Sequence, residues 1–259
     1  MARRWTLEEE EQKRSELEKF YTVENKTISE IGKILRLGES TVYDRLLRLG
    51  IKPDRSKKLK FNNKRNDIFI PKERSCELSE FLGILLGDGH LTPTQVTVTL
   101  GSKEISYVNY VVNLVKNLFK INPKTLETKK GYRVIYFGST EAVKWLIGMG
   151  LVFNKVKNQV DIPVWIFSNS EFIKSFLRGF FDTDGSIYKL RFGIQVAFIN
   201  RSIPMLNSIR RGLVLAGFFP SQISQFRIYL TRRKDVNRFF AIIKPANIKH
   251  RKRFLLFAK

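Results

Sequence analysis

Apolar positions along the 259-residue chain follow two periods. Between Ser168 and Gly185, residues Phe172, Ile173, Phe176, Leu177, Phe180 and Phe181 recur at helical spacing on one face. Ser168 or Ser170 is placed to cap the start of this helix, and Gly185 its end. Other stretches alternate as half-buried strands do. TQVTVTLGS, at 94–102, sets Val96 and Val98 on one face and Gln95, Thr97 and Thr99 on the other. SIYKLRFGIQVAFIN, at 186–200, sets Phe192, Ile194, Val196 and Phe198 against Arg191, Gln195 and Ala197.

Near the N-terminus, LEEEEQKRSELEKFY at 7–21 predicts a charged surface helix. Ile28, Ile31, Ile34 and Leu35 mark a short helix, Leu37-Gly38 a break, and Val42, Leu46, Leu47 and Leu49 the next helix. Two short helices joined by a tight glycine-containing turn form a helix-turn-helix pattern. In such a module the second helix enters the major groove. Its outward residues Ser40, Thr41, Tyr43, Asp44, Arg45 and Arg48 would then meet bases and phosphates. The competing reading is a plain three-helix scaffold that binds protein. The basic, polar segment 52–75 reads as a linker.

The remainder repeats. FLGILLGDG at 81–89 matches LRGFFDTDG at 177–185, an offset of 96 residues that sets Gly83 against Gly179 and Asp88 against Asp184. YRVIYFGS at 132–139 pairs with FRIYLTRR at 226–233. Each half ends in a basic segment, NKVKNQ at 154–159 and IKHRKR at 248–253. Each half thus reads helix, hairpin, helix, hairpin, helix, which predicts two lobes about a pseudo-two-fold axis. The expected fold class is α+β: two αββαββα lobes at 76–168 and 169–259, a small all-α domain at 1–51, and the linker between.

The aspartates stand at the ends of their helices, where the dipole is negative and a carboxylate costs roughly 0.3–1 kcal/mol. Small residues four apart, Gly83 with Gly87 and Gly179 with Thr183, would let the two helix backbones approach closely. The helix ends would then emerge side by side and bring Asp88 and Asp184 together. A divalent cation held by carboxylates and backbone carbonyls offsets that repulsion. An EF-hand loop is excluded, because Gly193 stands where its bidentate Glu is needed. A phosphatase-type aspartate pair follows a strand, whereas this one ends a helix.

Charge narrows the partner. The formal net charge is +23, and residues 161–259 hold 18 basic against 5 acidic residues. The basic residues are interleaved with aromatic and apolar ones, which favours a folded surface for a polyanion. A soluble basic protein of another kind is the alternative. Cys76 is the single cysteine, and His90 and His250 are the only histidines. That argues against a disulfide, a cysteine zinc site and a histidine-based triad. The N-terminal stretch lacks a signal peptide's apolar core, and no apolar run reaches membrane-spanning length. A cytoplasmic, nucleoid-associated protein is expected.

The two motifs resemble those of the LAGLIDADG homing endonucleases, and the resemblance covers about residues 75–259. It implies a monomer whose lobes offer saddles of β-strands to the DNA major groove and together cut both strands of a long asymmetric site. It implies Mg²⁺, or Mn²⁺, held by Asp88 and Asp184 with help from the carbonyls of Gly87 and Thr183, and Ca²⁺ as a non-catalytic occupant. Asp182, unmatched in the first copy, is read as structural. Polar residues around the metals match Asn200 and Arg201 in the second lobe. The first lobe departs with Gly101-Ser102, leaving Lys103 as the substitute. The basic segments offer Lys157 (or Lys155) and Arg251 (or Lys249), of which Lys157 and Arg251 are preferred. Base-reading candidates are Gln95, Thr97, Thr99, Arg133 and Tyr136 in one lobe, and Lys189, Arg191, Gln195, Arg227 and Arg232 in the other. The alternatives are a non-cleaving DNA-binding regulator or a maturase acting on intron RNA. An intein is not expected, for want of a splicing nucleophile and a His-Asn ending.

Overall fold

The structure, a computed structural model, describes residues 5–24, 26–51, 53 and 67–258. The expected linker therefore lies largely outside the described residues. The chain divides into two compact units, 1–61 and 62–259.

In the first unit, α1 (Leu7–Glu18) opens on a capping box between Thr6 and Glu9 and runs into a π-helical turn at Lys19–Val23. A second capping box, Thr27 with Glu30, opens α2 (Ile28–Leu35). Arg36 ends α2 in the left-handed conformation, and α3 spans Glu39–Arg48. A Cβ on Gly32 would lie 2.7 Å from the Leu37 carbonyl oxygen, so glycine lets the turn fold back over α2. Leu17, Tyr21, Ile28, Ile31, Val42 and Leu46 form the core. Ile34 and Leu47, expected inside, are 47% and 46% exposed. Helices this short bury one narrow stripe, and both residues lie off it.

The second unit is built on α4 (Cys76–Asp88) and α7 (Ser170–Asp184), which pack along each other. The first lobe continues with β1 (Gly89–Thr92), β2 (Gln95–Leu100), α5 (Ile105–Phe119), β3 (Lys124–Glu127), β4 (Arg133–Gly138) and α6 (Thr140–Gly148). Its antiparallel sheet has the order β1-β2-β4-β3. A 3₁₀ turn at Val164–Ser168 leads into α7, whose cap is Asn169 rather than either serine. The second lobe has β5 (Gly185–Leu190), β6 (Gly193–Ile199), α8 (Ile203–Leu215), β7 (Arg227–Leu230), α9 (Arg233–Ile242) and α10 (Ile248–Phe257).

Its sheet, β5-β6-β7, has three strands, so the second lobe departs from the expected pair of hairpins. Residues 221–224 approach β7 without forming a strand. Ser221 N–H bonds the Tyr229 carbonyl, its hydroxyl takes the Tyr229 N–H, and Ser224 bridges Arg227. Pro220 and the left-handed Gln225 and Phe226 leave too little extended chain for a ladder.

One core runs through both lobes, from Leu78, Phe81 and Leu85 to Phe176, Phe180, Phe198 and Phe239. Ile68 and Ile70, in the expected linker, pack against it, and Phe69 N–H bonds the Phe119 carbonyl. Phe192, expected on the inner face, sits 89% exposed in the turn between β5 and β6.

Candidate active site

The close approach of α4 and α7 depends on glycine. A Cβ on Gly83 would lie 2.4 Å from the Phe176 carbonyl oxygen, and one on Gly179 would lie 2.1 Å from that of Glu80. Both neighbours are backbone, so neither position admits a side chain without separating the helices. A Cβ on Gly87 would lie 2.0 Å from Thr183 Oγ1 and 3.6 Å from Asp184 Cγ. The two motif ends are therefore side by side. Gly89 and Gly185 follow with extended backbone, and a Cβ there would strike the helix just ended, at Leu85 or Phe181. Glycine thus lets each chain turn directly from helix to strand.

Asp88 and Asp184 end these helices, both half-buried. Burial, then the neighbouring Asp184 carboxylate, pushes Asp88 up to about 6. Burial also raises Asp184, while Lys155 and a hydrogen bond from Asn200 Nδ2 to its Oδ2, at 3.1 Å, act in the opposite sense.

Lys155 fills the end of α4. Its Nζ donates to the carbonyls of Leu85, Leu86 and Gly87 at 2.8, 3.0 and 2.6 Å. A cation there adds to the Gly89 N–H that already reaches the Leu85 carbonyl, and it meets the negative end of the helix dipole. Burial lowers Lys155 to about 8 against the pull of both aspartates. The end of α7 is finished differently. Asn247 Nδ2 donates to the Asp182 carbonyl at 3.2 Å, and the buried Asp182 carboxylate accepts N–H groups of Ala246 and Asn247 at 2.7 and 3.1 Å. Burial pushes Asp182 up to about 8, which those two bonds oppose. This residue ties the start of α10 to α7.

Glu104 adds an acidic group that the sequence reading passed over. Its Oε1 lies 2.5 Å from Lys249 Nζ and accepts Asn247 Nδ2 at 2.7 Å, and its Oε2 accepts the Gly101 N–H at 2.6 Å. Burial opposes its ionisation, but Lys249 and Asn247 outweigh that and hold its pKa low. Glu104 precedes α5 outside both motifs, and no local pattern marks it.

Several expected residues lie elsewhere. Lys157 is exposed, and Lys155 is the lysine of that segment at the helix end. Arg251 is likewise exposed, while the charge of Lys249 reaches Asp88. Lys103 and Arg201 are exposed in turns. The Gly87 carbonyl already accepts from Lys155, and the Thr183 hydroxyl donates back to Gly179 and Phe180 within α7.

On the strands, Gln95, Thr97, Thr99 and Tyr136 share the face away from the core, with Thr97 opposite Tyr136. His90 and Lys124 join that face through their pairing with Thr97 and Tyr136. Arg133 does not. It pairs with Leu100, so alternation puts it on the side of Ile135 and Phe137, and it bonds Glu127 at 2.8 Å. In the second lobe Gln195 and Arg227 lie on the outer face, Gln195 donating to Thr231 Oγ1 at 3.1 Å. Lys189 has the inner-face register yet is exposed at the sheet margin. Arg191 is in the turn over Phe192, and Arg232 precedes α9 over the Phe219 ring.

In the first unit Ser40 and Arg48 are exposed, and Thr41 and Tyr43 half-buried. Arg45 is 7% exposed with its guanidinium 3.2 Å from the Trp5 ring centroid. It is a core residue of the unit rather than an outward contact. Its position one turn after Val42 and beside Leu46 places it on the buried stripe.

Residues 171–244 match the LAGLIDADG-like domain. This segment is a LAGLIDADG-like domain. It starts with α7 and contains Asp184, Asn200 and the whole second sheet. Replication factor C small subunit of Methanocaldococcus jannaschii is 32% identical over 145 residues, which are 54% of this chain and 8% of that protein. DNA polymerase of Thermococcus sp. strain GE8 is 30% identical over 166 residues, 58% of this chain and 9% of that protein. The chain therefore spans under a tenth of the length of these relatives.

Solved structures similar to the chain include the N-terminal LAGLIDADG domain of DUF199/WhiA, at 20% identity over 67% of this chain and 86% of that one, TM-score 0.47. Another is the homing endonuclease I-WcaI bound to its DNA recognition sequence, at 15% identity over 81% and 96%, TM-score 0.47. A third is I-DmoI in complex with DNA and Mn, at 16% identity over 65% and 96%, TM-score 0.45.

Among the described residues no cluster of three or more His, Cys, Asp or Glu forms a ready metal cage, and no helix is long and apolar enough to cross a membrane. Asp88 and Asp184 supply an all-oxygen pair whose charge Lys155 and Lys249 offset only in part, since both carboxyls stay raised. That suits Mg²⁺, which keeps several waters and uses one or two protein carboxylates.

Proposed function

We propose that this chain is a divalent-metal-dependent, site-specific double-strand DNA endonuclease. The observation that carries the reading is the apposition of Asp88 and Asp184 at two helix ends, each raised in pKa by burial. Two carboxylates are brought together there where no local structural need calls for them. Mg²⁺, when bound by them, would supply a Lewis acid for the phosphate and lower the pKa of a water.

The chain's own groups do the remaining work. Asn200 orients the Asp184 carboxylate. Lys155 puts positive charge within reach of both aspartates, where a scissile phosphate would add negative charge in the transition state. The outer sheet faces, bearing Gln95, Thr97, Thr99 and Tyr136 on one side and Gln195 and Arg227 on the other, would follow the major groove. Glutamine and arginine there suit bidentate contacts to adenine and guanine edges. The N-terminal unit would act as a tethered helix-turn-helix that adds affinity through effective concentration. The chain would act as a monomer on a long asymmetric site.

The test is cleavage of a randomised duplex library with Mg²⁺, with sequencing of the ends, beside Asp184→Asn and a Ca²⁺ control. Ends clustered on one long asymmetric sequence and absent from the controls support the reading. A sequence retained without ends would replace it with a DNA-binding regulator. Preference for structured RNA would favour a maturase.

A further inference from the structure

The two halves of the site are chemically unequal. Lys155 donates to three backbone carbonyls at the end of α4, just before Asp88, and the neutral Asn200 amide holds Asp184 at the end of α7. Lys249, whose charge also reaches Asp88, is instead paired with the Glu104 carboxylate at 2.5 Å. Glu104 belongs to the first lobe, while Lys249 and Asn247 belong to the start of α10 in the second. The grip therefore crosses between the lobes. It is also well built. The Glu104 side chain is 12% exposed and its two oxygens take Lys249, Asn247 and the Gly101 N–H, whereas the Lys249 side chain keeps 37% of its surface open. Asn247 is itself fixed, by the Asp182 carboxylate and carbonyl.

We propose that Glu104 is a positioning residue that holds Lys249 back from the phosphate beside Asp88, so that the two DNA strands are cut at different rates. The proposal rests on the endonuclease reading. A lysine whose charge is already matched by a carboxylate stabilises a developing phosphate charge less than an unmatched one. Lys155 bonds carbonyl dipoles and keeps its net charge for the site. Cleavage should accordingly pass through a nicked intermediate in which one strand predominates.

Two readouts test this. With Mg²⁺ on the mapped site, wild type should accumulate one nicked strand over the other, and Glu104→Gln should bring the ratio towards one. In EDTA, on plain duplex DNA, freeing one cation should steepen log K against log salt by about 0.9 for Glu104→Gln. Lys249→Met alone should leave the slope near wild type, and Glu104→Gln with Lys249→Met should restore it. A Glu104→Gln protein of wild-type slope and wild-type strand ratio would overturn the proposal. The EDTA measurement needs no cleavage. A chain that cuts nothing yet steepens with Glu104→Gln would remove the nuclease reading while supporting the grip of Glu104 on Lys249.

Discussion

Lys155 Nζ lies 2.6 Å from the Gly87 carbonyl oxygen, one residue before the Asp88 carboxylate. A half-buried lysine held at the end of one motif helix, with its charge felt by both aspartates, has a different task from a surface lysine two residues on. Lys155→Met should reduce cleavage at saturating DNA by at least about 100-fold, the scale seen when one charge-stabilising donor is removed. Lys157→Met should leave turnover within about threefold and weaken DNA binding slightly. The comparison is single-turnover cleavage on the mapped site. Equal losses in the two variants would return Lys157 to the site.

The aspartates oppose folding in the absence of metal. Asp88→Asn and Asp184→Asn should each raise the melting temperature in EDTA, because a buried, mutually repelling charge is removed. Wild type should cleave and gain melting temperature with Mg²⁺, and both variants should lose both effects. Differential scanning calorimetry with and without Mg²⁺ reads both effects. A lower melting temperature in EDTA for both variants would mean that the carboxylates are structural hydrogen-bond acceptors.

The architecture was legible because period and repetition both point to it. Helical spacing from Phe172 to Phe181, alternation through Val96 and Val98, and the repeated glycine-aspartate ending mark two lobes joined along two helices. The details were lost where tertiary contact decides. Lys155 and Lys157 are equivalent in a sequence, and the fold of the 151–163 segment alone brings Lys155 to the carbonyls of α4. Glu104 is chosen by Lys249 and Asn247, more than 140 residues away. Arg45 and Arg133 look like outward contacts by residue type, yet alternation and helical phase carry both inward. The missing fourth strand of the second lobe follows from local backbone conformation at Gln225 and Phe226, which no apolar pattern announces.

The glycine contacts set the spacing of the aspartates. Gly83→Ala or Gly179→Ala puts a methyl group against backbone at 2.4 or 2.1 Å, which cannot rotate away. Overpacking of this kind costs ~1–3 kcal/mol, or more where backbone must move. The helices would separate and the motif ends with them. Both variants should melt lower and cleave more slowly, even at temperatures where they are fully folded. Wild-type melting in either would refute the close approach.

The protonation of Asp88 gives a pH dependence of known sign. Its folded pKa, about 6, is above the ordinary aspartate value of 3.8. The group therefore destabilises the metal-free fold above pH 6, by up to about 3 kcal/mol. That cost is relieved as pH falls through 6 and vanishes below the unfolded value. Mg²⁺ needs the carboxylate ionised, so its binding should release a proton below pH 6 and weaken there. Isothermal titration of Ca²⁺, standing in for Mg²⁺ so that the DNA is not cut, into the protein–DNA complex in buffers of different ionisation enthalpy, from pH 5 to pH 8, measures that proton. Affinity that stays flat across the range, with no proton released, would show that Asp88 does not bind the metal.

The N-terminal unit has its own core and its own capping boxes, so its removal should leave the two-lobed unit folded. A chain lacking residues 1–61 should keep its melting behaviour and its turnover on saturating substrate. DNA affinity should fall by roughly 100-fold, the lower end of what tethering supplies. The salt dependence should flatten as phosphate contacts are lost. Substitutions would localise the effect. Ser40→Ala should weaken binding to the extended site, while Arg45→Ala should mainly lower the stability of the unit through the lost Trp5 stacking. Electrophoretic mobility shift on long and truncated sites, run beside thermal melts, separates the two outcomes. Unchanged affinity after the deletion would mean that the unit contacts something other than DNA.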